Sequence, residues 1–113
     1  MDLQNDDPVK MYLHELALIQ PLTKDEETKL FQQLRHRDEH AETRLIESRL
    51  SLVVNIAERH SAAGIPMLDL IQEGNLGLFN AVKTFAENGS DDFSTHAAVC
   101  IEDAISKAIA GSK

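Results

Sequence analysis

The stretch from Ala41 to about Ala63 most constrains what this chain can fold into. It is free of Gly and Pro. Two sets of apolar residues recur in it at helical spacing, Ile46, Leu50, Val53 and Ala57 on one line and Leu45, Leu52 and Ile56 on another. The two lines lie about a third of a turn apart, so a helix built here is apolar on two flanks and belongs in the middle of a bundle. In 113 residues such a helix leaves room for one domain. Aromatic residues make up 4% and Trp is absent, so the core must come from Leu, Ile, Val and Ala, a composition that favours helices. The expected fold is all-α, a single compact bundle of about five helices over residues 1–113.

The other helices follow from start and stop signals. Asp7-Pro8 pairs an N-cap residue with proline at the first helical position, and Val9, Tyr12, Leu13, Leu16 and Ile19 follow at helical spacing, which predicts a leading helix over 7–20 that stops before Pro21. Thr23-Lys24-Asp25-Glu26 is a capping box opening long helical segments over 23–63, with Leu30, Phe31 and Leu34 as an apolar side. Residues 35–42 are polar throughout and read equally as a helical joint or a short loop. Gly64-Ile65-Pro66 is a break, followed by a helix over 66–85. Residues 86–92 read as an acidic turn. A last helix over 93–110, capped by Ser94 or Thr95, turns Phe93, Ala97, Cys100, Ile101, Ala104 and Ala108 inward.

A net charge of −8 has the wrong sign for holding a phosphate backbone by counterion release, and favours a basic protein partner over bare DNA. The single cysteine rules out a disulfide framework. The polar start after Met1, read as a natural start, carries no apolar signal segment, and no run is long and apolar enough to span a membrane, which points to a cytoplasmic protein without membrane contact.

Signals for catalysis are weak. His36-Arg37-Asp38-Glu39-His40 fits the H-x-x-E-H zinc pattern, but it lies in the most polar stretch, without a third ligand or apolar walls. A small zinc hydrolase on His36, Glu39 and His40 is accordingly the distant alternative. Asn88-Gly89-Ser90 reads as turn chemistry rather than a glycosylation sequon. Cys100 falls in the apolar phase of the last helix and reads as a small buried hydrophobe, while His14, His60 and His96 are dispersed. Neither catalytic residue, cofactor nor metal is expected.

The informative segment runs from Leu68 to Phe79. On a helix Asp69, Gln72, Glu73, Leu76 and Asn80 share one side, while Ile71, Leu78, Val82 and Phe85 pack inward. Carboxylates, a carboxamide and an exposed leucine suit a basic helix or hairpin. Gly74 and Gly77, each costing about 1 kcal/mol in mid-helix, imply close packing or a partner's approach.

Asp69-Leu70-Ile71-Gln72-Glu73-Gly74-Asn75, with Gly77-Leu78, Ala81-Val82 and Phe85 after it, resembles the core-binding helix of sigma-70 family RNA polymerase sigma factors of the housekeeping type. The order around it agrees. Asp7 to Leu13 with Leu22-Thr23 resembles that family's region 1.2, Leu50 to Ala57 the helix before the core-binding one, and Phe93-Ser94-Thr95 with Ala97, Ile101, Ala104 and Ile105 the promoter-melting helix of region 2. The matches run from Asp7 to about Ile109. The resemblance implies a region 2-like bundle that docks on a coiled coil in the largest catalytic subunit of core RNA polymerase, through Leu68, Asp69, Gln72, Glu73, Asn75 and Phe79. It also admits an anti-sigma protein on the first helix.

The same resemblance implies a last helix that captures the unpaired minus-ten strand with aromatic and basic side chains at positions corresponding to Phe93, Thr95, His96, Val99, Cys100 and Glu102. In this chain the family's tyrosine falls on His96, its tryptophan pair on Val99 and Cys100, and a basic residue on Glu102. Five acidic residues against two basic ones lie between Thr84 and Lys113. Loss of stacking worth roughly 1–3 kcal/mol per base, with added repulsion of phosphates, predicts weak promoter binding by a helix that still folds. Two readings follow: a core-binding module of transcription initiation with impaired strand melting, or a decoy that competes with working sigma factors. The family's later domains, which read other promoter elements, do not appear in the sequence.

Overall fold

The structure is a computed structural model that describes residues 7–88 and 92–111. Six α-helices and one short 3₁₀ turn account for its regular structure: α1 Pro8–Ala17, α2 Lys24–Leu34, α3 Glu39–Glu47, α4 Leu50–Glu58, the 3₁₀ turn Ser61–Ala63, α5 Met67–Asn88 and α6 Phe93–Gly111. No strand occurs among the described residues. The molecule measures 45 × 36 × 20 Å, and its shortest dimension is two helix diameters, so the bundle is two layers deep. Among the described residues no helix is long and apolar enough to cross a membrane.

The expected single helix over 41–63 is instead two helices and a 3₁₀ turn. The break falls at Ser48-Arg49, where Arg49 adopts φ −125° and ψ 11°. Its cause is polar: Ser48 Oγ donates to the Leu45 carbonyl at 2.6 Å, and Arg49 turns inward to meet Glu27. The two apolar lines nevertheless hold, since Leu45, Val53, Ile56 and Ala57 are buried, joined by Val54. The polar stretch 35–42 divides into a tight loop over 35–38 and the first turn of α3: Arg37 has φ 62°, and Asp38 caps α3 by accepting from the His40 and Ala41 N–H groups. That left-handed residue takes His36 off the helix that carries His40, so the H-x-x-E-H spacing does not bring two imidazoles onto one helical face.

The capping chemistry follows the sequence closely at the N-terminal end. Asp7 accepts from Val9 N–H, and Thr23 and Glu26 satisfy each other's backbone donors at 3.1 and 2.9 Å. The 2.9 Å bond donated by the Thr23 N–H is the chief cause that holds Glu26's carboxyl below its usual pKa. Three boundaries differ from expectation. α1 ends at Ala17 because Leu18 and Ile19 N–H groups bond back three residues to Glu15 and Leu16, tightening the last turn. α5 continues to Asn88, so the acidic turn is shorter than 86–92; Gly89 and Ser90 of the Asn88-Gly89-Ser90 motif lie outside the described residues. Asp92, not Ser94 or Thr95, caps α6, accepting from Thr95 N–H at 3.2 Å while Lys24 approaches at 3.3 Å.

α6 lies along α5, and two glycines permit it. A Cβ on Gly74 would sit 2.7 Å from Val53 Cγ1, and one on Gly77 2.6 Å from the Cys100 carbonyl oxygen. Both glycines therefore serve close packing, not the approach of a partner. At the other end Phe31, Phe85 and Phe93 meet with ring centroids 4.9 to 5.3 Å apart, closing α2, α5 and α6 around one aromatic cluster.

Candidate functional site

With its glycine face turned to α6 and α4, α5 presents the opposite face to solvent. Leu68 is 46% exposed, Leu76 60% and Phe79 38%, and Asp69, Gln72 and Asn80 are exposed beside them. Glu73 is half-buried. Neither Asp69 nor Glu73 forms an ion pair among the described residues, so two carboxylates stand unneutralised next to three apolar side chains. That pairing is what a docking face requires: apolar contacts for affinity, and uncompensated charge for orientation. Asn75 sits at the edge, half-buried, its Oδ1 buried without a hydrogen-bond partner. Past Phe79 the face borders a groove of about 720 Å³ between α5 and the α2–α3 loop, where Lys83 Nζ lies 4.7 Å from the Phe79 ring centroid.

The six positions expected to mark a strand-binding face are dispersed. Phe93 is fully buried in the aromatic cluster and cannot meet a nucleic acid. Thr95 is exposed but bonded to the Asp92 carboxylate. His96 is half-buried against α5, with Nε2 2.7 Å from Thr84 Oγ1 and 3.8 Å from Cys100 Sγ. Cys100 is half-buried rather than buried, and His96 stands beside it as a neighbouring base. Burial, helped by Asp103, nonetheless pushes its thiol pKa up, so it is no activated nucleophile. Val99 is 63% exposed and offers a small apolar surface where stacking would need a ring. Glu102 Oε1 lies 2.7 Å from His60 Nε2, bridging α6 to the end of α4 across a groove of about 610 Å³. Asp103 is paired with Lys107 at 3.0 Å.

Sequence reasoning missed the polar knot that holds α6 in place. Arg49 donates to Glu27 Oε2 at 2.7 Å and to Ser94 Oγ at 3.2 Å, and its guanidinium lies 5.4 Å from the Phe93 ring centroid. Glu27 is the buried charged residue of the core. The signal was present, since Glu27, Phe31 and Leu34 share the inward phase of α2, and a carboxylate there demands a cation. No group of three or more His, Cys, Asp or Glu able to hold a metal occurs among the described residues.

The sequence matches the family description Sigma-70 region 2 over residues 45–113 and Sigma-70 factor, region 1.2 over residues 7–36. The chain belongs to the sigma-70 family. It is 47% identical over 105 residues to RNA polymerase sigma factor SigA of a Bacillus species, 48% to that of Listeria monocytogenes and 47% to that of Clostridium acetobutylicum. Each comparison covers 93% of this chain and 28% of the relative, so the chain spans little more than a quarter of the length of the sigma factors it matches. The two family segments meet in the structure: α1 and α2 come from the region 1.2 match, α4, α5 and α6 from the region 2 match, and the Glu27–Arg49 pair joins them.

Proposed function

We propose that this sigma-70 family chain is a cytoplasmic, non-enzymatic module of transcription initiation that docks on core RNA polymerase through the outer face of α5. Its partner is a coiled coil of the largest catalytic subunit, with Leu68, Leu76 and Phe79 as apolar contacts and Asp69, Gln72 and Glu73 as polar ones; Asn75 lies at the rim. The observation that carries this reading is the pair of unneutralised carboxylates flanked by exposed apolar side chains on a helix whose other face is committed to the core. A pull-down with purified core polymerase tests it. Wild-type chain is expected to bind, and Gln72→Ala with Glu73→Arg to bind at least tenfold more weakly; no wild-type binding, or equal binding by the double variant, refutes the reading.

A second reading, a competitor of working sigma factors, is favoured by α6. With Phe93 buried, His96 bonded to Thr84, Val99 in place of a ring and Glu102 paired with His60, α6 offers neither a stacking platform nor a free cation to a single strand. Fluorescence anisotropy with a single-stranded minus-ten oligonucleotide decides this point. Tight, sequence-dependent binding restores ordinary initiation and removes the competitor reading.

A further inference from the structure

The groove past Phe79 carries cations that the docking reading leaves unused. Leu34, Phe79 and Ala86 form its apolar part, and seven charged side chains line the rest. Most of these answer to the backbone beside them. Asp38 caps α3, Glu39 and Glu42 lie in the first turn of α3, where free N–H groups favour negative charge, and Arg35 stands at the C-cap of α2, where free carbonyls favour positive charge. Arg37, Lys83 and Glu87 are left over, all three exposed. Neither Arg37 nor Lys83 forms an ion pair among the described residues. Lys83 precedes Glu87 by four positions, the weaker order for a helical pair. Arg37 is held at φ 62°, in the left-handed region that suits glycine and strains a residue with a Cβ. The loop therefore calls for glycine at 37, and the arginine there is accounted for by its side chain, which lines the groove.

We propose that the docking face continues from Phe79 across this groove to the α2–α3 loop, and that Arg37 and Lys83 receive a carboxylate-bearing segment of the same polymerase coiled coil. The proposal rests on the docking reading and adds to it the charge pattern and direction of the partner. Asp69 and Glu73 lie on the N-terminal half of α5, and Lys83 lies about 21 Å beyond Asp69 at 1.5 Å per residue. A partner helix that is basic opposite Asp69 and Glu73 and acidic opposite Lys83 and Arg37 satisfies both ends in one direction only. Reversed, it would set like charges against each other. The Arg37 guanidinium offers a planar fork that matches a carboxylate, and Lys83 a compact point charge. Lys83 Nζ lies 4.7 Å from the Phe79 ring centroid, which keeps the ammonium where the apolar strip meets the groove.

The test titrates the fluorescently labelled full chain with purified core polymerase and follows anisotropy, with the Tm of each variant read alongside. Arg37→Gly with Lys83→Glu is expected to weaken binding roughly tenfold or more. Arg37→Gly alone should weaken binding while its Tm equals or exceeds that of the wild type, because glycine accepts φ 62° without strain; an arginine kept only for the loop would not separate the two readouts. Gln72→Ala with Glu73→Arg serves as the control for the docking reading. If the wild-type chain does not bind, or that control binds equally well, the docking reading fails and takes this proposal with it. If the wild type binds, the control binds weakly and Arg37→Gly with Lys83→Glu binds like the wild type, the groove proposal alone is overturned and the α5 face stands. A lower Tm for Arg37→Gly overturns the assignment of Arg37 to the partner.

Discussion

Gly77→Ala places a methyl group where the structure has no room for one. The added Cβ would lie 2.6 Å from the Cys100 carbonyl oxygen, 2.8 Å from Ala104 Cβ and 3.1 Å from Ile101 Cα. None of these is the end of a flexible side chain, so relief requires α6 itself to move. Ordinary contact begins at 3.4 Å, which sets the displacement at 3.4 − 2.6 = 0.8 Å. Overpacking of this kind costs about 1–3 kcal/mol. A gap of similar size elsewhere along the α5–α6 seam also forfeits a quarter to a half of the dispersion attraction there, which pushes the cost toward the upper end. Against it stands the helix-propensity gain of about 1 kcal/mol on replacing a mid-helix glycine. The net is a destabilisation of about 2 kcal/mol, or roughly 8–16 °C in Tm for a domain of this size. Gly74→Ala should cost less, because its nearest neighbours, Val53 Cγ1, Ile105 Cδ1 and Ile101 Cγ2, are side-chain atoms. Gly111→Ala meets nothing within 4 Å and serves as the neutral control. Thermal unfolding followed by circular dichroism at 222 nm ranks the three. A Gly77→Ala variant as stable as the wild type, or more so, would refute the packing account and reopen the reading of Gly77 as a partner's approach.

Arg49→Met strands the buried Glu27 carboxylate with only Lys24, 3.7 Å away, to screen it, and should cost about 2–4 kcal/mol in urea unfolding; Glu27→Leu combined with Arg49→Met should recover most of that loss. Val99→Trp with Glu102→Arg restores one ring and one cation on α6 and should tighten binding of a single-stranded minus-ten oligonucleotide at least tenfold by anisotropy, since one stack is worth roughly 1–3 kcal/mol. Glu26, through the Thr23 N–H, and Asp92, through Lys24 and then the Thr95 N–H, have carboxyls held below their usual pKa. Their stabilising contribution is therefore present above the ordinary carboxylate range and lost as pH falls through the lowered values; replacing both with the amide should flatten the acid limb of a stability-versus-pH curve in that window.

Helix phase and N-capping were legible in the residues, because each is settled within a few positions: Asp7, Thr23 and Glu26 bond as their spacing requires, and Leu45, Val53, Leu78 and Ile101 are buried as their periodicity requires. The split at Ser48-Arg49 was not, because it depends on a partner 22 positions away, Glu27, that draws Arg49 inward. The same holds for the face of α6. Periodicity sends Cys100 inward, yet the close approach at Gly77 takes the Cys100 backbone as its contact and leaves the thiol at the edge, beside a histidine that hydrogen-bonds to α5. The α5 strip was legible for the opposite reason. Leu68, Asp69, Gln72 and Leu76 on its outer face are exposed, so helical spacing alone fixes which side chains share it.

The contact at Gly77 also separates the seating of α6 in the bundle from part of what that helix presents to solvent. α6 is positioned by its own backbone against Gly77, by Phe93, Ala97, Ile101 and Ile105 in the core, and by Arg49 on Ser94. His96, bonded to Thr84 of α5, and Glu102, paired with His60, add polar contacts to that seating, whereas Val99 is exposed. Substitution at an exposed position such as 99 can therefore change what α6 offers to solvent without shifting it, and without moving α5, whose exposed face points the other way. Such a change needs no rearrangement of the bundle. It needs only that the residues meeting solvent on α6 and those meeting α5 belong to different phases of the same helix.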